Sequence, residues 1–229
     1  MFRLRLVLLG GVAAVAFTAF SASAASATKF EWSVNGTSLA AGQKLTILIK
    51  TDGTITFTAK IGGEKTELVS SESTSEANIQ GGKPGTGEGK TTFKGVKVVK
   101  PGKCQIAGGE ATTERVVSTI VEGTSSKTAL ILLKPKTGSV FAKIKYENKG
   151  TESCILNGVT FEVEGSVLLE PLSASSKEIQ LWTFLKSGLQ STSSTGTVST
   201  NNLELGKELA NVTGNVSTLL DDDQSFSAL

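Results

Sequence analysis

The amino-acid sequence predicts an all-β protein, an antiparallel β-sandwich or barrel with one disulfide, preceded by a cleavable signal peptide. Three observations carry this. β-Branched residues populate most of the apolar runs, and those runs are short and bounded by turn residues. Two cysteines occur in the 229 residues, the number needed for one bridge. The N-terminus has the charge and hydropathy profile of an export signal.

The first element is the signal. Arg3 and Arg5 make a basic start, and from Leu6 to Phe20 no charged residue occurs. Ala22-Ser23-Ala24 and Ala25-Ser26-Ala27 then offer two small-x-small sites, so cleavage is expected after Ala24 or Ala27. The apolar run of about fifteen residues falls short of the roughly 20 that span a bilayer. No cysteine follows it to take a lipid, so no membrane association is expected after cleavage. The chain divides into a signal peptide over 1–27, a main β domain over 28–186, and a segment over 187–229. This last segment is a Ser/Thr-rich loop with a C-terminal strand packing on the main domain.

The strands are expected at 29–34, 44–50, 54–61, 66–70, 91–99, 113–121, 128–133, 139–147, 152–156, 159–170, 177–185 and 211–220. Their spacing is that of a sandwich or barrel. A three-residue loop, Thr51-Asp52-Gly53, would make a hairpin that sets Ile49 opposite Ile55 and keeps all the isoleucines on one face. Residues 140–169 read as a three-stranded meander with Val140, Ala142, Ile144 and Tyr146 inward. In that register Ile144 faces Cys154, and Asn157-Gly158 turns the chain so that Cys154 faces Phe161. Residues 175–189 also fit one face of a short helix. Polar 70–77 and Gly-rich 81–90 read as flexible surface linkers.

An oxidising destination makes a Cys104–Cys154 disulfide the expected state of the two cysteines. A reactive thiol would lack its usual base, because the chain has no histidine. The formal net charge is +2, and Arg3 and Arg5 leave with the signal. The near-neutral remainder has no basic stripe, which argues against nucleic acid as a partner.

Several motifs come close to known chemistry and then depart from it. Pro84-Gly85-Thr86-Gly87-Glu88-Gly89-Lys90-Thr91 echoes a phosphate-binding loop, but the residues after it read as a strand where a helix N-terminus is needed. Lys134-Pro135-Lys136-Thr137-Gly138 echoes a cell-wall sorting signal without its leading Leu and reads better as a turn. Asp221-Asp222-Asp223 lacks the spread of ligands of a calcium loop and reads as a solvated acidic tail. No pair of Glu residues is singled out for glycoside hydrolysis. The sequence therefore assigns no catalytic residue, cofactor or metal site. Trp32 and Trp182 are the candidates for stacking on a sugar ring.

Gly81-Gly82-Lys83-Pro84-Gly85-Thr86, Val98-Val99-Lys100-Pro101-Gly102-Lys103-Cys104, and Cys154 through Gly165-Ser166-Val167 together resemble uncharacterised secreted proteins of soil actinobacteria. The resemblance covers most of 65–170 and implies export and a shared fold without supplying a site. The expected function is that of a non-enzymatic secreted extracellular protein with a structural or surface-interaction role. Its partner would be a cell-surface or extracellular polysaccharide or protein. The alternative is an extracellular carbohydrate-binding β-sandwich module.

Overall fold

The computed structural model describes residues 30–125, 127–172, 179–220 and 224–228. The signal segment and Asp221–Asp223 lie outside them. Among the described residues the strands are β1 (Trp32–Val34), β2 (Thr37–Ser38), β3 (Lys44–Ile61), β4 (Glu64–Ser70), β5 (Glu72–Gln80), β6 (Thr86–Lys94), β7 (Lys97–Lys100), β8 (Cys104–Ile106), β9 (Ala111–Thr113) and β10 (Val116–Gly123). They continue with β11 (Ala129–Pro135), β12 (Val140–Asn148), β13 (Thr160–Gly165), β14 (Val167–Pro171), β15 (Gln180–Phe184), β16 (Gln190–Thr192), β17 (Val198–Thr200), β18 (Leu203–Leu205), β19 (Glu208–Leu220) and β20 (Phe226–Ala228). The protein is all-β and its ladders are antiparallel, as the sequence predicts.

Following the ladders from strand to strand closes a ring. β10 pairs with β11, β11 with β14, β14 with β15, β15 with β19, β19 with β3, β3 with β5, β5 with β6, and β6 with β10. The result is an antiparallel barrel without a free edge in the ring. The opposite ends of its longest strands serve a second group. There β3 pairs with β4, β4 with β7, β19 with β18, β18 with β13, β13 with β12, β12 with β8 and β9, and β9 with β6. β3, 18 residues long, and β19, 13 residues long, run through both groups. A small separate sheet, β2-β1-β20, lies across one end.

The interior accordingly has two centres. Trp32, Ile47, Ile79, Ile120, Ile131, Leu169, Trp182, Val216 and Phe226 fill the closed ring. Leu68, Val98, Cys104, Ile106, Ile144, Tyr146, Cys154, Val163, Leu203 and Leu205 fill the second group. A third cluster, Val121, Leu130, Leu132 and Leu168, lies on the other face of β10, β11 and β14. Those strands are therefore apolar on both faces, which is why 128–133 reads as an unbroken apolar run.

The structure corrects the expected elements in four respects. First, 51–53 does not turn the chain. β3 continues through Gly53, at φ 80°, because β19 pairs with both halves, setting Ile47 against Leu220 and Phe57 against Val212. Across the irregularity β3 goes from Asp52 to Thr56 while β19 goes from Asn215 to Thr213. The surplus is even, so the isoleucines keep their inward phase.

Second, 152–156 is not a strand. β12 pairs directly with β13, Ile144 facing Phe161 and Ala142 facing Val163, and its other edge is taken by β8 and β9. No edge of β12 remains for a middle strand. The inward phase of Ile144 and Tyr146 holds, and both are buried. Third, 72–80 is a strand and not a linker: Glu72 to Gln80 pairs with Lys94 to Thr86 along the whole of β6. That pairing also takes 86–90 out of the expected loop. Fourth, each of the expected strands 91–99 and 159–170 is broken into two. Within 175–189 the described residues from Gln180 to Phe184 form a strand.

Residues 187–202 contain the β16–β17 hairpin, joined to the ring through β10. β19, from the same C-terminal segment, is a member of the ring.

Candidate functional site

Cys104 and Cys154 are bonded to one another, with Cα atoms 4.8 Å apart, and both are buried. Cys104 belongs to β8, opposite Asn148 at the end of β12. Cys154 sits in the loop 149–159 that joins β12 to β13. Two asparagines shape that loop. Asn148 Oδ1 accepts from the Cys154 amide at 3.0 Å, and Asn157 Oδ1 accepts from the Asn148 amide at 3.0 Å. The disulfide therefore ties a loop, not a strand, to β8. Ile155, next to the bridge, is 80% exposed.

Below the bridge lies the protein's single tyrosine. Tyr146 is fully buried and packs edge-on to Phe161, ring centres 5.8 Å apart. Thr66 Oγ1 donates to the Lys100 carbonyl at 3.1 Å, which leaves it to accept from the Tyr146 hydroxyl at 3.1 Å. Burial pushes the Tyr146 hydroxyl above the usual tyrosine range, and the bond to Thr66 pulls weakly the other way.

Trp32 and Trp182, the sequence's candidates for sugar stacking, are both 3% exposed. Their rings meet edge to face at 6.4 Å, and Phe226 packs on Trp32 at 6.0 Å. Their polar edges are satisfied: Trp32 Nε1 donates to the Thr86 carbonyl at 2.7 Å and Trp182 Nε1 to Thr218 Oγ1 at 2.8 Å. The expected stacking platform is thus corrected to a core cluster, because indole area this large is worth more buried than exposed. The C-terminal residues belong to that cluster through Phe226, so the chain after 221–223 returns to the fold instead of trailing as a tail.

Beside the two indoles the interior of the ring holds a cavity of about 140 Å³. Its walls include Trp32, Trp182, Phe93, Phe141, Phe184 and Val212, and Ala77 and Gly89 close one side. A second space of about 90 Å³, among the residues of the other group, shares Phe93, Phe141 and Val212 as walls.

One wall of the cavity includes Gly89 from the phosphate-loop echo. Gly85 lies just before β6, and within it Gly87 and Gly89 share the inward phase, Gly87 opposite Ile79 and Gly89 opposite Ala77. At Gly85 a Cβ would meet Trp32 and Ile120 at 2.8 Å, so the missing side chain there is replaced by neighbours. At the Ala77–Gly89 pair, where the added Cβ would lie 2.7 Å from that of Ala77, the wall carries almost no side chain toward the interior. The period-two glycines were the available signal, and within a Gly-rich stretch they read instead as a flexible surface loop. An unfilled space of this size costs about 3 kcal/mol at roughly 24 cal/mol per Å³.

Of the charged pairs, Lys83–Glu31 has a buried carboxylate, and the others lie toward the exterior. Glu88 binds Lys136 Nζ at 2.8 Å and Arg115 Nη1 at 2.9 Å, and those hydrogen bonds, Lys136 first, hold its carboxyl below the usual range. Among the described residues no cluster of three His, Cys, Asp or Glu side chains is placed to hold a metal ion. No helix among them is long and apolar enough to cross a membrane. Comparison with known proteins yields no match: no family model, no curated protein and no solved structure is similar to the chain.

Proposed function

We propose that the chain is secreted and acts outside the cell as a non-enzymatic protein, through contacts made by its outer surface. The observation that carries this reading is the loop over 149–159. The disulfide and the Asn148 and Asn157 side chains fix its backbone, yet it turns Ile155 out to solvent at 80% exposure. A large apolar side chain on a pre-ordered loop loses little entropy when covered, the condition for a contact residue. The groups best suited to chemistry are meanwhile committed elsewhere: the two sulfurs to each other and the Tyr146 hydroxyl to Thr66. Export is supported by the N-terminal pattern and is compatible with a disulfide.

The partner class is a cell-surface or extracellular polysaccharide or protein. The test is co-sedimentation of the exported protein with cell-wall and polysaccharide fractions, beside Ile155→Asp. Binding should occur and should fall at least tenfold in the variant while its melting curve is unchanged. Hydrolysis of any tested polymer, abolished by one Glu→Gln change, would overturn the reading. Intact-mass analysis should find the exported chain beginning at Ala25 or Thr28; a chain retaining Met1 would exclude the cleaved signal.

A further inference from the structure

The interior of the ring goes beyond that surface role. Cores of folded proteins are packed to the density of organic crystals, with few spaces larger than a water molecule. A barrel with the number of strands found in this ring is just wide enough to be filled by its own side chains or to hold one small ligand. Here the filling is incomplete. The cavity of about 140 Å³ is walled by Trp32, Trp182, Phe93, Phe141 and Phe184, with the Ala77–Gly89 pair opening the space.

The wall chemistry selects the occupant. Both indole nitrogens are turned away into bonds with Thr86 and Thr218. The Thr113 hydroxyl accepts from the Thr91 amide at 3.0 Å, and the Thr218 hydroxyl also donates to the Gln180 carbonyl. Glu88 is held by Lys136 and Arg115, which leaves the Ser118 hydroxyl as a polar group on an otherwise apolar lining. Water needs two to four polar partners to be stable in a cavity, and apolar cavities of about 150 Å³ stay dry and admit benzene or xenon. A charged or hydrogen-bonding guest would be stripped of water without replacement.

We infer that the ring is a binding site for one small uncharged apolar molecule, of the size of a single aromatic ring or a short alkyl chain, held between Trp32, Trp182 and the Ala77–Gly89 wall. Trp32 and Phe226, from the small sheet, stand at one end of the site.

The two tryptophans are the chain's entire complement and both line the site, so intrinsic fluorescence reports it directly. The exported protein should be titrated with benzene and, separately, with pyridine, which has the same shape and a hydrogen-bonding nitrogen. Benzene should give a saturable fluorescence change in the millimolar range and raise the melting temperature, with pyridine at least tenfold weaker. Ala77→Leu, which fills the space, should lose benzene binding at least tenfold while melting no lower than the parent. Val212→Leu, reducing the same space from β19, should show the same loss and serves if Ala77→Leu does not fold. Folded parent protein that shows no saturable response to benzene, equal affinity for pyridine, or undiminished binding in both filled variants would overturn the inference.

Discussion

The two ends of the interior are stabilised by different means, although β3 and β19 run through both. Around Trp32 and Trp182 the packing is aromatic and incomplete, with small residues on one wall and a cavity beside them. Around Tyr146 a covalent bridge and a buried hydroxyl pair are added to the apolar contacts. The first end depends on shape and can accept a guest. The second depends on particular bonds and holds a loop rigid against solvent. One pair of long strands can therefore connect a compliant site to a fixed one.

The comparison is broken most severely from the aromatic side. Trp32→Ala should cost about 3 to 5 kcal/mol, the usual range for removing a large buried aromatic, read as a fall in the urea midpoint. Because Trp32 also contacts Phe226 and Trp182, the small sheet should exchange its amide protons faster in this variant.

The Cys104→Ser, Cys154→Ser double variant should cost about 2 to 5 kcal/mol, with the sulfurs separated by 50 residues along the chain. The bridged parent, denatured without reductant, should titrate no free thiol. The double variant should keep the tryptophan emission of the ring at temperatures below its lowered melting point, which would separate the two ends. Loss of that emission in the folded variant would show them to be a single unit.

Tyr146→Phe should cost about 1 kcal/mol at neutral pH, the usual net worth of a buried hydrogen bond. Its pH dependence is the sharper reading. Because burial raises the folded pKa of Tyr146, its contribution is fully present below the ordinary tyrosine value of about 10 and is lost as pH rises through the raised one. The parent should therefore lose stability steeply in strong alkali, and Tyr146→Phe should flatten that limb. Since the chain has one tyrosine, ultraviolet titration follows the group without interference.

Glu88→Gln should give the smallest effect, since Glu88, Lys136 and Arg115 are at the surface and screened. Its folded pKa is lowered by those two cations. Any contribution is present above the ordinary carboxylate range and lost as pH falls through the lowered value. The variant should show a slightly shallower acid limb and nothing at alkaline pH.

What could be read in the sequence was local. Alternation placed Val140, Ala142, Ile144 and Tyr146 on one face; the structure keeps that phase at Ile144 and Tyr146, both buried, while an irregularity between Val140 and Ala142 brings Phe141 to the interior, where it lines both cavities. The cysteine pair was legible because only one pairing exists. The ring was not, because it closes through partners far apart in sequence, such as Ile47 with Leu220. β5 escaped notice because its Ser/Thr/Glu sequence has little apolar alternation. Ser73 takes an inward, buried position, and the Ser75 hydroxyl bonds both the amide and the carbonyl of Ile49 just past the end of the β3–β5 ladder. Small polar side chains acting as backbone partners leave no periodic signature. The tryptophans were visible as candidates, but whether a ring faces solvent depends on β1 and β20 crossing the end of the barrel, a contact no local pattern encodes.

That crossing sets a schedule. Trp32 pairs with Ala228, and Val34 with Phe226, so one of the earliest strands has its neighbour among the latest. β3 likewise waits for β19 before either of its halves has a complete set of partners. A chain built from its N-terminal end could form hairpins such as β5–β6 or β10–β11 early, while Trp32 stayed uncovered until residue 226 had been added. Pairing over such separations is slow, and a chain halted partway would expose its aromatic end as a target for proteases. Completion of the chain, and not any single early step, is the event that seals the molecule.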